Sequence, residues 1–384
     1  MKLALFFTRS VGLQAWVENG LFYREKLIYE RHLSDGTLTG VTWLTYQSGD
    51  AVMAGELHAS GRLDRRIEVI ERPCWFPGGW IGGLLYSIVL PLLHFISLKR
   101  VDMLKTNQLD GAWAAVLARR IFRKPLLLRC GYVQSKLETS LGRLPLWRLR
   151  VMRAMERFVT KRADAIAVAA THDVAYVCDR YGIEASCIHV LPNYIDAQLF
   201  APASSHPIQS HPSRLLYVGR FTEEKNLFTL LGAVARAGVP LDLVGHGPLR
   251  QSLGEKANEC GASIRWLGTV SNHELPQLIN QYPFFVLPSV AEGMPKTLLE
   301  AMACGLVCIG TDVDGINEVI HDGVDGFLAR GLDEEALCLA LARALAADRE
   351  QIGRAARKTI EERYTLTAVA RQESRLFGKL VACR

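Results

Sequence analysis

Phe284-Phe-Val-Leu-Pro-Ser-Val-Ala-Glu-Gly-Met-Pro-Lys-Thr-Leu-Leu-Glu300 is the stretch from which the rest of this 384-residue chain is best read. Its first four residues are apolar and predict a buried strand. Glu292 then falls on a loop, Gly293 lets the chain turn tightly, and Pro295 suits the first turn of a helix. That helix carries Glu300, so two carboxylates eight positions apart face the mouth of one strand–loop–helix unit. The helix start at Pro295, Lys296, Thr297 and Leu298 offers N–H groups that favour an anion such as a diphosphate. A sugar–nucleotide has the matching parts, hydroxyls for carboxylates and phosphates for a helix end.

Outward from this stretch, apolar runs alternate with helical patterns. Strands are predicted at 214–218, 241–244, 264–267, 284–287, 307–310 and 326–328. An earlier series is predicted at 3–8, 41–46, 67–70, 101–106, 126–129 and 165–169. Most are continuous apolar runs of the kind that parallel sheets bury on both faces. Helices fit between them, for instance 112–122 and 146–161. The pattern predicts an α/β protein of two doubly wound domains, with ligands at the carboxyl ends of the strands in a cleft where the domains face each other. The first domain is expected at 1–195, a Pro/Ser/His-rich linker at 196–213 and the second domain at 214–365. A terminal helical segment, 366–384, is expected to pack back on the first domain.

Apolar residues make up 49% and charged residues 22% of the chain, a globular composition that leaves little room for disorder. The cysteines, at 74, 130, 178, 187, 260, 304, 308, 338 and 383, are odd in number and scattered, with no C-x-x-C pair. They are expected to be reduced core residues of a cytosolic protein rather than disulfide or zinc partners. The apolar run at the N-terminus is too short for a signal peptide and is expected to form a first strand. The net charge of +6 hides an asymmetry. Between 119 and 162, thirteen basic residues stand against only Glu138 and Glu156, a local net of +11, so the remainder carries −5. A negatively charged partner should meet that basic face.

Two motifs precede the opening stretch. Val218-Gly-Arg-Phe-Thr-Glu-Glu-Lys-Asn226 ends a strand, and Arg220 and Lys225 stand where two cations could neutralise charge on a departing diphosphate. The alternative is a surface pair balanced by Glu223 and Glu224. Gly245-His-Gly-Pro-Leu-Arg250 is a glycine-rich turn into a helix. It lacks the third glycine of a dinucleotide fingerprint, so Gly247 is read as permitting close approach of a phosphate or nucleobase, with His246 as a turn residue.

The ordered set GRF-x-x-EKN, GHGPLR, PS-x-x-EGMPKTLLEAMACG and DVDGINEVI–DGVDGFL resembles the retaining nucleotide-sugar glycosyltransferases of the GT-B fold, glycosyltransferase family four. Met155-Glu-Arg-Phe, Arg162-Ala-Asp-Ala-Ile-Ala-Val and Val190-Leu-Pro-Asn-Tyr-Ile-Asp agree more loosely, and the resemblance runs from about Val101 onward. It implies that Glu300 holds the ribose hydroxyls and Glu292 the donor sugar. Arg220 and Lys225 would grip the diphosphate, assisted by Gly293, Met294 and the helix start. It further implies transfer with retention of configuration, no metal or other cofactor, and a nucleotide-sugar donor with a glycan or lipid-linked acceptor. A sugar-nucleotide epimerase of the same fold and a non-catalytic sugar-nucleotide-binding subunit are the alternatives.

The first domain departs from that pattern. Gly12 fits the loop near the phosphates but stands alone where relatives have two glycines. No histidine ends a strand there; Asn107, Arg129 and Tyr132 occupy the strand ends and are candidates for contacts to sugar or acceptor, or for structural roles. In 146–162, Trp147, Val151, Ala154 and Phe158 recur at helical spacing beside Arg150, Arg153, Arg157 and Lys161. Such a helix either turns its apolar stripe to the sheet or lies on an anionic membrane surface, placing the protein peripherally on the inner face of a membrane. The segment 75–98 is uncharged, but Pro91 and His94 favour a helix packed on the domain over a bilayer span. No nucleic-acid-binding module accompanies the basic block.

Overall fold

The computed structural model describes residues 1–203 and 214–382; most of the expected linker and Cys383 lie outside the described residues. Two compact units are present, one formed by Met1–Leu191 with the chain from Val369 onward, the other by Pro192–Ala368.

The first unit is a seven-stranded parallel sheet in the order β3-β2-β1-β4-β5-β6-β7. Its strands are β1 (Lys2–Phe6), β2 (Gly40–Leu44), β3 (Ile67–Ile70), β4 (Met103–Thr106), β5 (Leu126–Cys130), β6 (Ala165–Val168) and β7 (Ile188–Val190). The last was not expected from sequence: only three residues long and carrying His189, it lacks a continuous apolar run. Helices α1 (Leu13–Glu18), α2 (Phe22–Ser34) and α3 (Asp50–Ala59) connect the early strands. Then come α4 (Gly79–Leu93), α5 (Phe95–Lys99), α6 (Trp113–Phe122), α7 (Gln134–Leu141), α8 (Leu146–Thr160) and α9 (Thr171–Tyr181). The strand order reverses between β1 and β4, and at such a switch point the loops diverge and open a crevice.

The second unit is a six-stranded parallel sheet in the order β10-β9-β8-β11-β12-β13. Its strands are β8 (Leu215–Val218), β9 (Leu241–Val244), β10 (Ile264–Gly268), β11 (Phe284–Leu287), β12 (Val307–Thr311) and β13 (Phe327–Ala329). Between them run α10 (Leu227–Ala237), α11 (Arg250–Cys260), α12 (Leu275–Ile279), α13 (Lys296–Ala303), α14 (Glu334–Ala346) and α15 (Arg349–Arg363). The reversal lies between β8 and β11. Both sheets bury their strands on two faces: Leu3, Ala4, Leu5, Leu215, Leu216, Phe285 and Val286 have no exposed surface. At the opening edge of the second sheet, buried Asp242 on β9 accepts from Arg214, Arg265 and Tyr282, which ties four strand starts together. Burial alone would raise this carboxyl, but the hydrogen bonds from Arg265, Tyr282 and Arg214 hold it below the ordinary aspartate range.

Residues 192–203, read from sequence as a domain end and a linker, pack on the second unit. Ile195 bridges to Thr365, Phe200 is buried, and Arg357 donates to the carbonyls of Ala197 and Phe200. The last helix, α16 (Leu366–Ala382), sends Glu373 into the first unit. There Lys105 donates to it at 2.7 Å and His32 meets it at 2.9 Å, with all three side chains at most 5% exposed.

The cysteines are only partly core residues. Cys130, Cys304 and Cys308 are buried, whereas Cys74 and Cys187 are exposed; the described cysteines are all free thiols. The segment 75–98 is two helices, α4 and α5, broken at His94. Pro91 lies one turn before this break and cannot donate a helical N–H. No helix among the described residues is long and apolar enough to cross a membrane.

Candidate functional site

The chemistry-bearing residues of the second unit gather at the carboxyl ends of β8, β9, β11 and β12, around the β8/β11 switch point. After β8 the chain turns through Gly219 and a 3-10 turn to Asn226, whose left-handed backbone (φ 52°) starts α10. This places Lys225 inward. Its ammonium donates to Glu292 Oε1 at 2.5 Å, and both side chains are nearly buried. Ser289 Oγ donates to the same oxygen at 2.7 Å. Ser289 is itself fixed, because Thr311 Oγ1 donates to its carbonyl at 2.5 Å and the next N–H, of Val290, donates to the carbonyl of Glu224. Glu292 is therefore a held carboxylate with a defined direction.

Arg220 is placed differently. Its side chain is 72% exposed and touches Glu224 at 3.4 Å, while Thr222 Oγ1 donates to the same Glu224 oxygen at 2.7 Å. Burial would raise the Glu224 carboxyl, but Thr222, the backbone and the nearby Arg220 and Lys225 hold it below its ordinary value. The expected surface pair thus exists for Arg220 and Glu224, while Lys225 leaves it for Glu292. Arg220 keeps the reach to meet an anion.

The helix start is one residue later than expected. Pro295 has extended backbone (φ −74°, ψ 116°) and stands at the N-cap, so α13 begins at Lys296, and no side chain caps it. The N–H groups of Thr297 and Leu298 lie in the first turn, where intrahelical acceptors are lacking. Leu298 is buried beneath them and Thr297 is half-buried. Glu300, one turn on, is 1% exposed, and Asn272 on the loop after β10 donates to its Oε1 at 3.5 Å. The loop before the helix is pinned by Asn193, whose Nδ2 donates to the Met294 carbonyl at 2.7 Å and whose N–H reaches Met294 Sδ at 3.3 Å.

Two glycines make this crowding possible. Gly315 has φ 82°, and a Cβ there would lie 2.0 Å from the Gly293 carbonyl oxygen. At Gly247 a Cβ would lie 2.4 Å from the Phe221 carbonyl oxygen, so the turn after β9 closes onto the turn after β8. Sequence reasoning named Gly247 and Gly293 but missed Asn193, Asn272, Ser289 and Gly315. Asn193 and Ser289 lay inside quoted motifs without chemistry assigned; Gly315 lay in the DVDG run; Asn272 carried no local signal.

The first-unit candidates stand at the carboxyl ends of β1, β4 and β5. Gly12 abuts protein rather than open space: a Cβ there would meet Asp50 Oδ2 and Gln47 Oε1 at 2.5 Å. The N–H groups of Leu13 and Gln14, at the start of α1, donate to the Asp50 carboxylate at 2.9 and 3.1 Å. The start of α1 beside Gly12 is thus capped by the Asp50 carboxylate. Arg129 donates through Nη1 to the carbonyl of Leu191, where the chain leaves this unit. Asn107 is half-buried, its N–H bonded to the Phe6 carbonyl, and Tyr132 is 43% exposed. Cys130 donates its thiol proton to the Tyr132 carbonyl, and burial raises that thiol far above its ordinary value, so it is a packing residue. Among the described residues no group of three or more His, Cys, Asp or Glu side chains is disposed to hold a metal ion.

Helix α8 does not turn its apolar stripe to the sheet. Trp147, Val151, Ala154 and Phe158 are exposed, and the helix buries Leu149, Glu156, Val159 and Thr160 instead. The pivot is Glu156, which accepts from Ser135 N at 3.1 Å and from Tyr181 Oη at 2.5 Å. Satisfying that carboxylate fixes the rotation of the helix.

Comparison with known proteins agrees with this architecture. The model of the glycosyl transferases group 1 matches residues 212–347, and that of glycosyltransferase family 4 matches residues 41–199. Alpha-maltose-1-phosphate synthase of Mycolicibacterium smegmatis is 28% identical over 379 residues, 91% of this chain and 87% of that protein. UDP-Gal:alpha-D-GlcNAc-diphosphoundecaprenol alpha-1,3-galactosyltransferase of Escherichia coli is 27% identical over 211 residues, 50% of this chain and 54% of that one. With some other relatives the match spans only 56–57% of their length. The crystal structure of Anabaena HepE in complex with UDP and glucose superposes with a TM-score of 0.76 at 18% identity, over 99% of this chain and 100% of that one. Two Rossmann-like parallel sheets in one chain, with the motif-bearing loops at the carboxyl edge of the second, define the GT-B class. The chain belongs to the glycosyltransferases of group 1 and family 4.

Proposed function

We propose that this glycosyltransferase moves a sugar from a nucleotide-sugar donor to a glycan or lipid-linked acceptor, with retention of configuration and without a metal, in cell-surface polysaccharide or lipopolysaccharide biosynthesis. The observation that carries the proposal is the pair of fixed carboxylates, Glu292 and Glu300, on either side of an uncapped helix start. Glu300, buried one turn inside α13, takes the ribose hydroxyls. Glu292 takes hydroxyls of the transferred sugar, and the first-turn N–H groups with Arg220 and Lys225 take the diphosphate.

In this arrangement cations and helix N–H groups stabilise the charge that builds on the departing diphosphate. The acceptor hydroxyl attacks from the same face, and a phosphate oxygen receives its proton. Glu292 acts as an oriented hydrogen-bond acceptor rather than a covalent nucleophile, because Lys225 and Ser289 already occupy one of its oxygens. Asn107 and Tyr132 are the acceptor-side candidates; Arg129 serves as a positioning residue through the Leu191 carbonyl. The protein works in the cytoplasm, in peripheral contact with an anionic membrane through 146–162, whose outward apolar stripe and arginines suit that contact.

A panel of UDP-, GDP- and ADP-sugars tests the proposal. One donor is expected to raise the melting temperature, because a ligand that binds only the folded state stabilises it. With acceptor present, the same donor should then release its nucleoside diphosphate, with or without EDTA. Stabilisation by none of the panel, or release abolished by EDTA, would overturn it.

A further inference from the structure

The first unit ends at Leu191 and the second begins at Pro192. The residues around that junction are fastened on both sides. Leu191 donates its N–H to the Val168 carbonyl, at the end of β6, at 2.8 Å and accepts from Arg129 Nη1. Ile195 uses both of its backbone groups, donating to the Tyr364 carbonyl and accepting from the Leu366 N–H, each at 3.0 Å. Pro192 has a φ set by its ring and no N–H, which makes it a stiff link. Between these anchors stand Asn193 and Tyr194, and both meet the segment that opens α13.

Asn193 meets Met294 twice, through Nδ2 to the carbonyl at 2.7 Å and through its N–H to Sδ at 3.3 Å, and the Lys296 ammonium lies 5.5 Å from the centre of the Tyr194 ring. The Met294 carbonyl has a particular place in the helix start. The N–H of Leu299 donates to the Pro295 carbonyl at 3.3 Å, so the Met294 carbonyl stands one residue outside the helical ladder. A peptide group is planar, and the Pro295 nitrogen shares its plane with that carbonyl. Because the ring also sets φ of Pro295, the direction of the Met294 carbonyl fixes the direction in which the first turn of α13 points. From the other side the same loop abuts Gly315, where a Cβ would lie 2.0 Å from the Gly293 carbonyl oxygen. The stretch between Glu292 and Lys296 is thus clamped by Asn193 and Gly315.

We infer that Asn193 is a positioning residue of the transfer reaction: through the Met294 carbonyl it aims the first-turn N–H groups of α13 at the donor diphosphate. This rests on the transferase reading, in which those N–H groups take the diphosphate. Asn193 acts through Met294 rather than on the substrate. Glu300, a turn further on and 1% exposed, is held by the packing of α13 itself. Loss of the Asn193 amide therefore falls on the diphosphate grip and spares the nucleoside grip.

Asn193→Ala tests this, with Asn280→Ala as its comparison. Asn280 fastens the same connecting stretch farther along, donating to the Ala201 carbonyl at 3.0 Å and accepting from the Ala203 N–H at 3.1 Å, and none of its hydrogen bonds runs to 292–295. Calorimetry with UDP, GDP and ADP and with their nucleosides should show the preferred diphosphate weakened about tenfold by Asn193→Ala, its nucleoside changing by less than about twofold. Turnover, kcat, should fall about tenfold or more. Asn193→Ser, too short to reach the Met294 carbonyl, should behave in the same way. Asn280→Ala should leave both affinities and kcat as in the wild type, whatever it takes from the melting temperature. In the free protein, hydrogen exchange should quicken at the α13 amides (Lys296–Ala303) in Asn193→Ala and not in Asn280→Ala. Unchanged diphosphate binding, equal weakening of nucleoside and diphosphate, or unchanged exchange in α13 would each overturn the inference. The exchange measurement needs no ligand. If the wild type binds none of the three diphosphates, the transferase reading falls, and exchange still decides whether Asn193 sets the start of α13.

Discussion

Two lysine–glutamate pairs in this molecule look alike on paper and differ in what surrounds them. Lys105 and Glu373 meet at 2.7 Å in the first unit, where His32 bonds the second carboxylate oxygen and Ser374 Oγ pairs with the other His32 nitrogen. Every polar atom of that carboxylate points at protein, and Tyr29 and Phe377 lie against the ammonium. Lys225 and Glu292 meet at the carboxyl edge of a sheet, beside an uncapped helix start and exposed Arg220. The first pair is closed on itself and fastens α16 to the sheet. The second is held at one carboxylate oxygen only, by Lys225 and Ser289.

The comparison breaks first on stability. Glu373→Ala, leaving Lys105 buried without its counter-charge, is expected to cost about 3–5 kcal/mol by denaturant unfolding. Lys105→Met combined with Glu373→Leu should recover most of that loss, because an apolar pair of similar volume replaces a buried ion pair at little net change. If the double variant is as unstable as the single, the cluster contributes more than its charges.

The same pair has a pH signature. Burial would raise the Glu373 carboxyl, but Lys105 and His32 hold it at about 2, below its ordinary value of 4.5. A carboxyl whose folded value is depressed stabilises the fold above its unfolded value and loses that contribution as pH falls toward the folded one. The wild type should therefore lose about 3 kcal/mol through this group between pH 5 and pH 2. The loss should be missing from the acid limb of the Lys105→Met with Glu373→Leu variant. Identical acid limbs for the two would contradict the assignment.

At the site the balance reverses. Glu292→Ala should lower the transfer rate about a hundredfold or more while changing the melting temperature far less than Glu373→Ala does. Lys225→Met with Glu292→Leu should restore stability but not turnover, unlike the buried pair. Gly315→Ala is a smaller perturbation of the same kind. Its Cβ would press on the Gly293 carbonyl oxygen and its φ of 82° suits glycine, so it should displace the Glu292 loop. An expected effect of about tenfold on the transfer rate follows from misplacing a reacting group, checked against donor binding by calorimetry.

Much of this was legible in the chain because the strands of the second unit are continuous apolar runs and its site residues sit directly on strand ends. The run 284–300 set strand, loop, carboxylate and helix within one residue of where they stand; only the helix start slipped, because Pro295 keeps an extended ψ. What the sequence left hidden depended on distance along the chain. Asn193 and Met294 are 101 residues apart, and Glu156 reaches Tyr181, whose hydroxyl decides which way α8 faces. Helical spacing alone located the apolar stripe of α8 but not the direction it points. Beside Gly12, which the family resemblance puts in a loop near the phosphates, the N–H groups at the start of α1 donate to Asp50, a carboxylate 38 positions after Gly12 that no local pattern announced.

Calorimetric titration of UDP, GDP and ADP into the wild type and into Glu300→Ala is the most direct test that the edge of the second sheet grips a nucleotide sugar. One nucleoside diphosphate is expected to bind the wild type, and Glu300→Ala should weaken it at least about tenfold through loss of a buried carboxylate's hydrogen bonds to ribose. Equal affinity for both proteins, or no binding of any of the three, would contradict it.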